Sequence, residues 1–252
     1  MIAVSLSPVT AVIPARYAST RLPGKALLDR TGKPLIQHVF DNVRRARQVD
    51  RVIVATDDQR IVEAVQRFGG EAIMTRSDHP NGTSRIAEVT GRIHSALIVN
   101  VQADEPEIEP ELIDLAIQTL KDSSSCVMST LGSPFATDED PSDPNIVKVV
   151  MGPDGRALYF SRALIPYTRS ESKVDPLKHV GLYVYRREFL LKYVTLPATP
   201  LELAESLEQL RVLEHGYDIA VAVARVSSHG INTPPQYEEF VQRYLQSQPT
   251  AP

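Results

Sequence analysis

Val9-Thr10-Ala11-Val12-Ile13, running straight into Pro14-Ala15-Arg16-Tyr17-Ala18-Ser19-Thr20-Arg21-Leu22-Pro23-Gly24-Lys25, decides the fold class. The first five residues lack polar alternation, the pattern of a strand buried on both faces. The twelve that follow carry three cations and no anion. Downstream, Pro34 to Arg47 sets Leu35, Ile36, Val39, Phe40 and Val43 on one helical face, with Pro34 suited to the first turn. Arg51 to Ala55 reads as a second strand, and Asp57 or Asp58 can cap a helix carrying Ile61, Val62, Val65 and Phe68, stopped by Gly69-Gly70. A short strand from Glu71 to Met74, a polar loop, a helix from about Thr83 and the strand Ala96 to Val101 complete the first half. Strands buried on both faces and separated by helices imply a parallel α/β sheet with right-handed crossovers.

The second half changes character. Val147 to Met151, the turn Gly152-Pro153-Asp154-Gly155 and Ala157 to Phe160 predict a β-hairpin. His179 to Arg186 alternates as another strand, Leu201 to Leu213 reads as one amphipathic helix ended by Gly216, Ile219 to Val223 as a late strand, and Pro234 opens a C-terminal helix. The Pro- and Asp-rich stretch Ser133 to Asn145 is the nearest thing to a boundary. It divides the chain into a first part (about 1–132), a second (about 133–230) and a C-terminal helix (231–252).

Composition narrows the class. With 42% hydrophobic and 23% charged residues, the 252-residue chain is an ordinary globular protein. A formal charge of −4 gives no global basic footprint for nucleic acid or an anionic membrane. One cysteine, Cys126, builds neither an internal disulfide nor a thiolate zinc site, which points to a reducing compartment. Met1 to Val12 has no basic flank and is interrupted by Ser5, Ser7, Pro8 and Thr10, so no signal peptide is expected. Nothing reaches the roughly 18 apolar residues of a membrane span. The expected location is the cytoplasm, and the sequon Asn81-Gly82-Thr83 is a coincidence there.

Ligands of doubly wound sheets bind beyond the carboxyl ends of the strands. Three loops leave those ends. The cationic loop 14–25 suits a polyphosphate, with Arg16 and Lys25 neutralising charge and Arg21 available for a bidentate contact; a solvated basic loop is the plain alternative. The Walker spacing is absent. Thr75 to Arg85 offers short donors and two arginines for a base edge or a carboxylate, while its His79 reads as a solvated loop histidine. Asn100 to Pro106 places Asp104 where one carboxylate can hold Mg²⁺ against phosphates, a helix N-cap being the alternative. Asp138-Glu139-Asp140 imitates a metal motif but reads as solvated.

Together these loops resemble the family of 3-deoxy-manno-octulosonate cytidylyltransferases, the CMP-Kdo synthetases. The resemblance rests on IPARYASTRLPGKALLDRTGKPLIQHV, IVATDDQRI, TRSDHPNGTSRIAEV, IVNVQADEP, NIVKVV, ALYFSRALIP, KHVGLYVYR and PLELAESLEQLRVLEHG, from Ile13 to Gly216. It implies a nucleotide-diphospho-sugar transferase α/β fold, with a mostly parallel Rossmann-like sheet and an inserted β-rich subdomain. It also implies a homodimer that uses Mg²⁺ to join CTP and the acid sugar Kdo for lipopolysaccharide synthesis. By that resemblance Ala15, Arg16, Ser19, Thr20, Lys25, Arg76, Gly82, Thr83 and Gln102 meet CTP, with Arg16, Lys25 and Asp104 the catalytic set. Arg21, Gln102, Arg162, His179, Tyr183 or Tyr185, Glu208 and Gln209 line the sugar pocket, and Asp104 and Asn232 hold the metal. Without the resemblance, Arg162 and His179 read as exposed strand-end residues, and Glu208 and Gln209 as an ordinary surface face.

The chain departs from the family pattern in four places. Ala103 replaces a Gly, Asn81 a small Ser, Ser84 an Asp, and Asn232 the second metal carboxylate. The last change predicts weaker Mg²⁺ binding by the free protein. A related acid sugar, or a nucleotide or sugar sensor without turnover, are the competing readings. A metal-dependent glycosyltransferase fits less well, for want of a clear metal motif after a strand.

Overall fold

The computed structural model describes residues 7–18, 22–169, 174–227 and 230–248. In chain order its first elements are β1 (Val9–Ala15), α1 (Leu35–Arg44), β2 (Arg51–Thr56), α2 (Gln59–Arg67), β3 (Glu71–Met74), α3 (Gly82–Thr90) and β4 (Leu97–Asn100). Then come α4 (Pro110–Asp122), β5 (Met128–Pro134), β6 (Lys148–Met151), β7 (Ala157–Ser161), β8 (Leu177–Arg186) and α5 (Arg187–Tyr193). The last are α6 (Pro200–Glu205), α7 (Glu208–Glu214), β9 (Ile219–Val223) and α8 (Pro234–Ser247). The fold is mixed α/β, and the chain forms two compact units.

One unit gathers Pro8–His94, Asn100–Glu111 and Ser228–Pro252. Its strands run parallel in the order β3-β2-β1, with Ile13 opposite Val54 and Val54 opposite Ala72. β1 is buried on both faces along nearly its whole length, as its lack of polar alternation predicts. Asp58 caps α2 by accepting the Arg60 N–H, so of the two candidate caps it is the second that serves. Thr233 and Gln236 form a capping box at α8, with Pro234 in the first turn. That helix lays Tyr237, Phe240 and Val241 over Leu22, Leu35 and Ile231. The packing fixes the segment just before the helix, which matters for the site below.

The other unit gathers Met1–Ser7, Ser95–Val99 and Leu112–Ser227. Its strand order is β4-β8-β5-β9, with β6 pairing β7 and β8. β5 runs antiparallel to β8 and parallel to β9, and β6 and β7 form the expected hairpin. Between Thr130 and Leu131 the register on β8 jumps from Tyr183 to Val180, a bulge that leaves Gly181 and Leu182 outside the pairing. Three further elements, α4, β5 and α5, lie outside the segments read from the pattern, although in α4 Leu112, Ile113, Ala116, Ile117 and Leu120 make a buried helical stripe.

The single helix expected over Leu201 to Leu213 is two helices. Ser206 adopts φ 52°, ψ 51°, closing α6, and buried Leu207 opens α7. The capping box of Thr199 and Glu202, with Arg211 on the Glu202 carboxylate, holds the two turns against each other.

Candidate functional site

The nucleotide-site candidates converge in the first unit. A cleft of about 500 Å³ is lined by Pro14, Arg16, Lys25, Gly82, Gln102, Asp104 and Asn232, among others. Three chain segments meet at one ammonium: Lys25 Nζ donates to Asp104 Oδ2 and to the Ile231 carbonyl oxygen, each at 2.8 Å. The Ile231 N–H in turn donates to the Asp104 carbonyl. Ile231 is placed by the apolar cluster under α8, so its carbonyl is a consequence of core packing. No periodicity or motif marks that oxygen.

Two glycines shape the walls. Gly24, at φ +65°, lies where a Cβ would press on the Tyr17 ring at 3.3 Å, so both its backbone and its space exclude a side chain. Tyr17 is itself covered by the Arg60 guanidinium, which Asp58 holds at 2.6 Å. Gly82 brings the start of α3 against Pro14, where a Cβ would sit 3.3 Å from the ring.

Beside Asp104, a buried second carboxyl is held against its charge. Glu105 is pushed up to about 7, first by burial and then by the charge of Asp104, with Lys25 opposing both. Asn232 stands on the rim of the cleft, its N–H bonded to Gln236 Oε1. Among the described residues no group of three His, Cys, Asp or Glu side chains could hold a metal. The donor set is one carboxylate and one amide, which fits Mg²⁺ carried by phosphates and water, because that ion needs few protein oxygens.

Arg16, Lys25, Gly82, Gln102, Asp104 and Asn232 share the cleft. Ala15 is buried at the end of β1, and Thr83 is buried in the first turn of α3. Arg76 lies out in solvent beside Asp78 and Glu88. Ser19, Thr20 and Arg21 lie outside the described residues. Asp104 caps no helix, since the next one begins at Pro110.

Two readings are corrected. His79 is not solvated: its ring is 4% exposed and its Nε2 lies 2.5 Å from Glu88 Oε2. Arg85 is not available to a ligand, because it is fully buried, with Nη2 on Asp57 at 2.7 Å and Nη1 on Thr75. Burial opposes the charge on Glu88, but hydrogen bonds from His79 and the Arg76 N–H, with Arg92 nearby, hold its carboxyl below the usual range.

The sugar-site candidates lie in the other unit. His179, Tyr183 and Tyr185 form a row of rings along β8, with centroids 5.4 and 6.0 Å apart, and Phe160 meets His179 edge-on. The Thr130 hydroxyl donates to the carbonyls across the bulge, which leaves its oxygen to accept from His179 Nε2 at 2.9 Å. Burial pushes His179 down to about 3, so the ring is neutral near pH 7 and is not the exposed residue that its strand-end position suggested. Tyr183 donates to Gln209 Oε1 at 3.3 Å, and burial, then the Glu208 charge, raise its pKa. Gln209 is buried rather than part of a surface face.

Arg162 spends its donors on backbone oxygens of Glu205, Pro144 and Ser206. Sequence reading missed its partner Glu205, whose carboxylate takes the Ser161 hydroxyl and the Arg162 N–H. It also missed Lys148, whose buried ammonium binds the carbonyls of Asp143, Ile146 and Arg162. The acidic run is not wholly solvated either, since Glu139 pairs with Lys178 at 2.5 Å.

Comparison with known proteins gives the family. The cytidylyltransferase family profile matches residues 10–219. The 3-deoxy-manno-octulosonate cytidylyltransferase of Geobacter sulfurreducens is 50% identical over 93% of this chain and 98% of its own length. That of Syntrophotalea carbinolica is 51% identical over 90% and 94%. A solved CMP:2-keto-3-deoxy-manno-octonic acid synthetase, complexed with CTP, superposes with a TM-score of 0.92 at 44% identity, covering 96% of this chain and 100% of that one. A 4-diphosphocytidyl-2C-methyl-D-erythritol synthase from Anaerococcus prevotii, at 15% identity and TM-score 0.62 over 94% of this chain and 96% of its own, shares the fold alone.

Proposed function

The chain belongs to the 3-deoxy-manno-octulosonate cytidylyltransferase family, and from that premise we propose that it joins CTP and Kdo into CMP-Kdo with release of diphosphate. The observation that carries this reading is the meeting of Lys25, Asp104 and the Ile231 carbonyl in a cleft shared with Arg16 and Asn232. In the reaction the anomeric hydroxyl of the sugar attacks the α-phosphorus, the bond to the β-phosphate oxygen breaks, and the hydroxyl loses its proton. Positioning and charge neutralisation supply most of such a rate.

Arg16 and Lys25 offset the charge of the triphosphate. Asp104 orients the Lys25 ammonium and, with Asn232, would hold Mg²⁺. The ion, when bound, screens phosphate charge from the incoming sugar carboxylate. Gln102, which donates to Asn100 Oδ1, is assigned to the nucleotide and the sugar. Arg162, His179, Tyr183, Tyr185, Glu208 and Gln209 are assigned to Kdo, with the neutral His179 bonding hydroxyls rather than pairing with the carboxylate. Ser19, Thr20 and Arg21 keep the roles that the family resemblance implies.

The product supplies Kdo to lipopolysaccharide synthesis, the enzyme acts in the cytoplasm, and it works as a homodimer. No helix among the described residues is long and apolar enough to cross a membrane. Incubation of the purified protein with CTP, Mg²⁺ and Kdo tests the reading through diphosphate release. Parallel arms with 8-amino-8-deoxy-Kdo and a nonulosonate decide the sugar, and CTP binding without turnover on any of them would replace the enzyme with a sensor.

A further inference from the structure

Arg16 is held from outside its own loop. Its Nη2 donates to the His79 carbonyl at 3.0 Å, and among the described residues its other donors have no partner. The peptide that presents this carbonyl is fixed by its own side chain, since His79 Nε2 lies 2.5 Å from Glu88 Oε2. The same carboxylate oxygen accepts the Arg76 N–H at 3.1 Å, and Arg92 binds its partner oxygen. Glu88 sits on α3, whose first residue, Gly82, abuts Pro14 two residues before Arg16. A closed path thus runs from Arg16 through the loop to α3 and back to the end of β1.

The state of the ring explains why an imidazole stands here. A carboxylate only accepts, so Nε2 must carry the proton. Among the described residues Nδ1 is buried without a partner. An orphaned buried nitrogen costs stability, and an apolar ring of similar size would avoid that cost. What imidazole adds is one short, directed, charge-assisted bond to Glu88.

We infer that His79 and Glu88 are positioning residues for nucleotide binding, their hydrogen bond fixing the carbonyl that holds Arg16 ready for an anionic phosphate. The inference rests on the reading of this cleft as the CTP site. The two stand or fall separately in one calorimetric experiment with CTP and Mg²⁺ on the full chain. His79→Phe, which keeps the ring and loses the donor, weakens CTP binding about tenfold, while His79→Gln restores it to within about threefold. In an Arg16→Ala background the His79→Phe change adds less than about twofold, because the two act through one contact. Glu88→Gln weakens CTP in the same direction, and serves if His79→Phe does not fold. The KM for the sugar is unmoved.

Equal CTP affinity of His79→Phe and the unaltered protein overturns the inference and leaves the site reading intact. So does an equal loss in both Arg16 backgrounds, which is the mark of a purely structural role. An unaltered protein that does not bind CTP overturns both.

Discussion

Replacing Lys25 with methionine removes the one ammonium that ties Asp104 to Ile231 and leaves the apolar stem in place. The Lys25 and Asp104 side chains are 15% and 26% exposed, so the pair is only partly screened. Hydrogen bonds to a charged group contribute about 1.5–3 kcal/mol each, and the orphaned Asp104 oxygen and Ile231 carbonyl regain some water. A net loss of about 2–3 kcal/mol follows, which in a chain of this size lowers Tm by roughly 4–12 °C. The same change removes the cation that favours ionisation of Glu105, so burial and the Asp104 charge push that carboxyl higher still. Turnover suffers more than stability, because charge next to a reacting phosphate is worth about 100- to 1000-fold in rate. Thermal denaturation and continuous diphosphate release, run on the same preparation, read both quantities. A Tm within about 1 °C of the unaltered protein, or kcat/KM for CTP within about threefold, would refute the reasoning.

Burial, then the charge of Lys33, press His38 down to about 4 from 6.5. A depressed histidine lends stability that is complete above its unfolded value and is lost as pH falls from about 6.5 towards 4, on the order of 3 kcal/mol. His38→Gln should flatten that part of the denaturation-against-pH curve, and an unchanged slope would contradict the assignment. Ser206→Gly relieves the left-handed backbone at φ 52° and should raise stability by about 0.5–1 kcal/mol in urea titration; a fall would mean the strain is not there. Asn232→Asp places a second charged oxygen in the cleft that Asp104 lines and should lower the Mg²⁺ needed for half-maximal turnover and for direct titration of the protein–CTP complex. An unchanged requirement in both would show that Asn232 does not meet the ion.

Legibility followed the physics of each segment. The strand at Val9 and the helix capped by Asp58 were readable because two-sided burial and a period of 3.6 leave direct marks on residue type. The break at Ser206 was not, since neither Gly nor Pro announces it and tertiary contacts of Glu202 and Arg211 impose it. In the cleft, Lys25 and Asp104 were visible as charges on loops after strands. Their joint partner, the Ile231 carbonyl, was invisible because every residue has a carbonyl and only packing under α8 aims this one. His79 and Arg85 were misread for a related reason: each sits in a polar stretch, and the acid it pairs with lies outside that stretch, Glu88 on α3 and Asp57 after β2.

The central claim is chemical, and phosphorus NMR of the purified protein with CTP, Mg²⁺ and Kdo tests it most directly. A sugar phosphodiester signal and free diphosphate should grow together in equal amounts as the triphosphate signals fade. Triphosphate signals that persist, or diphosphate that accumulates without the phosphodiester, would contradict it.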